Sequence, residues 1–238
     1  MRTLTIAVLF GLLAPFVLMA QEEDKTYWMV ELQYLMAKDG QEAKLVEAIK
    51  THNQKYHTES PYKADLDMIM TGKHSGWFVW SMGGFMFKHL DDRPGKGAHD
   101  DDWDKNVGKY VQKYGPTEYW RNVKEMSFRP EGWDGTMAEI WWIDLQQGDW
   151  YRFKAMMEKV AEIHKEKNLP ISVYYNVFGD GNRDVAIVFP FSKWADLDRD
   201  FNMMEAFDEK YGEGSWMNMM EEWKDMVVDR TEEVWKEQ

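Results

Sequence analysis

A diverged repeat runs through this chain. Lys113-Tyr114-Gly115 returns as Lys210-Tyr211-Gly212, Trp120-Arg121 as Trp223-Lys224, and Trp133 as Trp235, each about a hundred residues later. His52, in Ile49-Lys50-Thr51-His52, returns as His164 in Ala161-Glu162-Ile163-His164. A chain built from two copies of one unit has to fold each copy alike. It must then bury whatever apolar face each copy leaves bare.

The order of elements repeats as well. Tyr27 to Leu35 is aromatic and partly alternating, which predicts a strand. Asp39-Gly40 opens a helix with Leu45, Ile49, His52 and Tyr56 on one face, and Pro61 follows its end. Leu66–Met70 and Trp77–Met82 flank a glycine-bearing turn and predict a hairpin. Helical sequence is expected over 103–124 and a short strand over 125–129. In the second copy a strand is expected over 138–145. A helix carrying Phe153, Met157, Val160 and His164 follows, then a hairpin over 172–191. Helical sequence then runs to about Met226, and a last strand covers 227–235. Each unit therefore reads as βαββαβ, an α+β ferredoxin-like arrangement. Its limits are 26–130 for the first unit and 137–236 for the second.

In its element order, its Lys-Tyr-Gly and Trp repeats and its paired helix histidines, residues 26–236 resemble the dimeric α/β barrel superfamily. That group includes antibiotic-biosynthesis monooxygenase-like and NIPSNAP-like domains and the tandem chlorite-dismutase-like haem proteins. The resemblance implies two units packed into one intrachain barrel and a habit of binding small molecules between sheet and helices. It also makes haem, held by an axial histidine, a candidate cofactor. No motif here identifies that histidine, and none carries over a catalytic residue.

The N-terminus predicts export. Arg2 precedes an uncharged, mostly apolar run over 3–20, and Gln21-Glu22-Glu23-Asp24 follows at once. This is the layout of a signal peptide spanning 1–20, with cleavage expected after Ala20. The mature protein is expected in the periplasm or the medium, with no membrane association after cleavage. A formal net charge of −13 argues against nucleic acid as a partner, because an acidic surface repels phosphate. The absence of cysteine excludes thiol nucleophiles, disulfides and cysteine-ligated metals.

The candidate ligand-binding residues are His52, His164, Trp80, Trp142 and Tyr174. The two histidines sit late on the apolar face of equivalent helices, where imidazole can hold a ligand, move a proton or pack as core. The aromatics lie on strands. Of the adjacent pairs Trp141-Trp142 and Tyr174-Tyr175, one ring should face the helices and the other the opposing sheet. Glu31 and Glu139, in the first strand of each copy, read as solvent-facing or interface positions rather than as an acid–base pair. The run His99-Asp100-Asp101-Asp102-Trp103-Asp104 has no counterpart in the second copy. It reads as a solvated acidic loop entering a helix, and no residue is assigned to a metal. The methionines over 203–226 read as adaptable core filling. The function expected is an exported, soluble protein that binds a small apolar or aromatic ligand. An oxidoreductase on the same fold, cofactor-independent or haem-binding, and a non-catalytic interaction protein stay open, as does self-association.

Overall fold

A computed structural model describes residues 27–179, 181–198 and 201–238. The expected signal peptide lies outside the described residues, as does Asp180 in the second hairpin turn. Eight antiparallel strands close a barrel in the order β1-β3-β2-β8-β5-β7-β6-β4. In the first half, β1 is Met29–Ala37, β2 Ala64–Ile69, β3 Phe78–Phe85 and β4 Val111–Asn122. In the second, β5 is Met137–Leu145, β6 Ser172–Phe178, β7 Val185–Phe191 and β8 Val227–Glu237. Each half thus contributes the strand order of one ferredoxin-like unit, β4-β1-β3-β2 and β8-β5-β7-β6.

The halves meet along edges as well as faces. β2 pairs with β8 through Asp67–Glu237, Met68–Lys236 and Ile69–Trp235. β4 pairs with β6 from Tyr119–Phe178 to Asn122–Tyr174. Closure satisfies both edges of each sheet, which would otherwise present unpaired backbone groups. Inward-facing residues of both halves form one core that includes Leu32, Tyr34, Trp120, Trp142 and Trp235.

Helices cover the outer faces. α1 (Glu42–Tyr56) buries Leu45, Ile49 and His52 against the first sheet, and α3 (Trp150–Glu166) buries Phe153, Met157, Val160 and His164 against the second. The helix faces are those the spacing predicts. α2 (Ala98–Asp102) is one short turn, continued by a π-helical turn over Trp103–Val107. α4 (Met203–Tyr211) and α5 (Ser215–Met226) complete the second half.

The expected helix over 103–124 is corrected. Its second part is β4, which pairs with β1 over eight register positions and with β6 on its other side. Gly115-Pro116 lies in the middle of that segment, and proline in a helix interior removes a hydrogen bond and clashes with the preceding turn. The strand expected over 125–129 reduces to a single bridge, Phe128 to Ile171.

The Lys-Tyr-Gly repeat is likewise not a structural equivalence. Gly115 lies in β4, where an added Cβ would meet the Cβ of Tyr34 at 2.8 Å. Gly212 ends α4 with a φ of +105°, a conformation that L side chains rarely adopt. The same tripeptide serves close packing in one half and a helix stop in the other. Trp120 lies in β4 and Trp223 in α5, so these two are not equivalent either. The element order and the His52/His164 pair carry the duplication.

Candidate functional site

The five aromatic and histidine candidates fall in three separate places. His52 and Trp80 line a cavity of about 230 Å³ between the first sheet and its helices. His164 lines one of about 610 Å³ in the corresponding place in the second half. Trp142 and Tyr174 face the barrel interior, at a cavity of about 830 Å³ that opens at one end. Alternation holds, since Trp141 and Tyr175 pack on the helix side while their neighbours turn inward.

In the first half three imidazoles converge. His52 is 1% exposed on α1, and His57, just past the helix end, is 2% exposed. His99 reaches them from α2. The Nε2 atoms of His52 and His99 are 3.3 Å apart, and those of His57 and His99 3.1 Å. All three rings offer a ligand nitrogen within 4.8 Å of the others. Each Nδ1 points the other way, to Asp102 Oδ2 at 2.9 Å, to the Tyr62 carbonyl at 2.9 Å and to Asp100 Oδ1 at 2.8 Å respectively.

Burial pushes the His52 ring below its ordinary range despite the Asp102 hydrogen bond, and pushes His57 down to about 4. Asp102 is held below the usual carboxylate range, first by its bond to His52, and Asp100 by its bond to His99. Trp103 and Trp80 pack edge-on against His52 and His57, at 5.0 and 5.2 Å between centroids, and Trp80 Nε1 donates to Asn53 Oδ1. Of the two positions expected for Glu31, solvent-facing or interface, burial excludes the first. Glu31 is 5% exposed and accepts from Arg93 at 2.8 Å in the same small cavity.

Sequence reading singled out His52 but missed His57 and His99. A signal was present. Histidine recurs five residues after His52, where α1 ends, and a third histidine opens the acidic run. That run is only partly the solvated loop expected, because His99 and Asp102 turn toward α1.

The second half lacks this cluster. The offset that carries His52 to His164 carries His57 to Leu169. His164 is 6% exposed, and its Nδ1 is buried without a hydrogen-bond partner. Burial holds the ring at about 4, outweighing the nearby Leu169 and Pro170 carbonyls, so it is neutral at neutral pH. Around it the cavity is lined by Met156, Met157, Val160, Trp141, Phe189 and Trp223. Met219 and Met220 complete its helix side, whereas Met204 and Met217 point to solvent, so core filling accounts for only part of the methionine run. Glu139 reaches the rim and accepts from Trp141 Nε1 at 2.7 Å.

The barrel interior is polar at its centre. Glu233 accepts from the indole nitrogens of Trp142 and Trp235 and pairs with His74. Arg183 lies over the Trp142 ring and donates to the Tyr34 hydroxyl. These groups satisfy one another and hold the tryptophans in place. Trp142 is thereby committed to the core more than to a ligand.

Haem, the cofactor the resemblance implies, fits the second cavity poorly. His164 supplies an unpartnered nitrogen of the right kind. Among the described residues, the charged ones lining the cavity are Glu139, Asp196 and Arg230, and Arg230 pairs with Glu232 and stacks on Trp141 at 3.8 Å. Two propionates would meet more negative than positive charge among these. The set suits an uncharged ligand.

No family model matches this chain, and no curated protein matches it in sequence. Solved structures do match. A candidate monooxygenase from Lactobacillus acidophilus aligns at 13% identity over 89% of this chain and 94% of its own, with a TM-score of 0.58. An anthrone oxidase-like protein aligns at 10% identity over 90% and 92%, with a TM-score of 0.53. Chlorite dismutase from Candidatus Nitrospira defluvii aligns at 9% identity over 89% and 91%, also with a TM-score of 0.53. These are dimeric α/β barrel proteins, and this chain has their fold.

Proposed function

We propose that this is an exported protein that binds a small, uncharged, largely aromatic molecule between the second sheet and its helices. The observation that carries this reading is the buried imidazole of His164 on a cavity walled by aromatic and thioether side chains, its ring beside the Leu169 and Pro170 carbonyls and its Nδ1 without a hydrogen bond of good geometry. A buried polar atom without a partner costs about 1–3 kcal/mol, and a ligand hydroxyl or carbonyl would remove that cost. Methionine and aromatic walls adapt to flat apolar molecules. The open barrel end is the weaker candidate, since Lys63, Asp65, Asp67 and Glu237 gather at its lining.

An oxidoreductase is the second reading, favoured by the names of two structural neighbours. It would ask His164 to take a proton from a phenol-like substrate. A ring held at about 4 is a weak base for that task, so binding is preferred.

Tryptophan fluorescence titrations test the proposal, using paired uncharged aromatics with and without a hydroxyl. Wild type should prefer the hydroxylated member, and His164→Phe should lose about tenfold of that preference, the worth of one hydrogen bond. Added haem should give no shifted Soret band. Failure of every probe, or an unchanged preference in the variant, would refute the reading.

A further inference from the structure

The three-histidine cluster of the first half plays no part in the ligand reading above. Its hydrogen bonds fix the chemistry it offers. The Tyr62 carbonyl can only accept, so His57 Nδ1 carries the proton. Asp102 and Asp100 are ionised acceptors, so the Nδ1 atoms of His52 and His99 carry theirs. A neutral imidazole has one N–H, and all three are spent on these outward bonds. The Nε2 atoms that face one another are therefore lone pairs, at 3.1 and 3.3 Å. That arrangement is repulsive unless something positive sits among them. One extra proton on His99 could bridge to His52 or to His57, leaving the other contact lone pair against lone pair. A cation at the centre serves all three.

We propose that His52, His57 and His99 bind one divalent first-row transition-metal ion, zinc or a neighbour in the series, through their Nε2 atoms, with a coordination position open to the adjoining cavity. Two observations beyond the clustering point the same way. Metal–nitrogen bonds of about 2.0–2.1 Å in a tetrahedron put ligand nitrogens roughly 3.3 Å apart, and two of the three spacings already match. Each ring is also oriented from behind by a carboxylate or a carbonyl, the outer support that fixes the tautomer of metal-bound histidine. All-imidazole donors suit zinc, copper, iron or nickel and disfavour calcium and magnesium, which take oxygen.

Three protein ligands leave a fourth position, the pattern of zinc sites that hold water rather than of closed structural ones. The cavity of about 230 Å³ beside the cluster, with Glu31, Arg93 and Tyr114 in its walls, gives that position room. The site belongs to the first half alone, because Leu169 stands at the position matching His57 and no histidine follows His164 in the sequence.

Apo protein prepared with a chelator and titrated with cobalt(II) alone, then challenged with zinc(II), tests the proposal. Wild type should take up one equivalent with visible ligand-field bands that zinc abolishes. His99→Ala, whose ring sits on a short turn rather than in the core, should lose stoichiometric uptake while keeping its circular dichroism spectrum. Asp102→Asn keeps all three ligands and should weaken binding by about 10–100-fold. His164→Phe should bind as wild type does, which separates this test from that of the ligand cavity. Should His99→Ala fail to fold, histidine nitrogen NMR of the wild type decides, since zinc should shift three Nε2 signals and no others. Wild type that leaves cobalt as the free aquo ion, full uptake by folded His99→Ala, or an unmoved set of histidine signals would overturn the proposal.

Discussion

At the scale of single residues, two histidines in matching places have opposite surroundings. His52 is bonded to Asp102 through Nδ1 and turns its Nε2 toward His99, whereas the Nδ1 of His164 has no hydrogen-bond partner. The bare ring has a consequence for acid stability. Its folded-state value is about 4 against an ordinary 6.5, so the unfolded chain binds the proton first. The contribution of His164 is complete above the unfolded value and is lost as pH falls from 6.5 toward 4. The loss amounts to about 3 kcal/mol. Denaturant midpoints across that window should fall more steeply for wild type than for His164→Phe; parallel curves would contradict the assignment. Glu31 gives a second residue-scale prediction. Arg93→Ala leaves a carboxylate that is 5% exposed with Tyr119 but no cation beside it and should cost about 2 kcal/mol, with Glu31→Gln in the same background restoring most of it.

At the scale of elements, the helices and hairpins were legible because their patterns are local. Leu45, Ile49 and His52 recur at helical spacing, and glycine-bearing turns separate the paired runs of β2–β3 and β6–β7. β4 was not legible. Its exposed stretch from Gln112 to Thr117 gives no clean alternation, and its inward residues include Glu118, whose burial depends on Trp120 and on Arg183 from the other half. The metal cluster was hidden for the same reason, since it joins residues about fifty positions apart that only the packing of α2 on α1 brings together. Gly115 tests the account of β4. Gly115→Ala should cost about 1–3 kcal/mol by overpacking against Tyr34 and Trp77. Gly40→Ala, where no atom crowds an added Cβ, should cost only the strain of its positive φ, about 1 kcal/mol. Thermal unfolding of the two variants distinguishes crowding from strain.

At the scale of the whole molecule, neither half covers itself. The tryptophans at the barrel centre depend on groups from both halves, with Trp142 and Trp235 bonded to Glu233 and Glu233 paired with His74 of the first. Residues 27–130 expressed alone should therefore self-associate or aggregate, and co-expression with 131–238 should restore one soluble particle. Light scattering on the separate halves checks this, and a folded, monomeric first half would contradict it. The closed sheet leaves two equivalent outer cavities free to diverge. The first holds three converging imidazoles; the second holds one imidazole in an apolar chamber.

That division of labour is the central claim, and anomalous diffraction from crystals grown with zinc tests it most directly. The account predicts one strong peak between the Nε2 atoms of His52, His57 and His99 and none beside His164. A map with no peak at the triad, or with equal peaks in both halves, would contradict it.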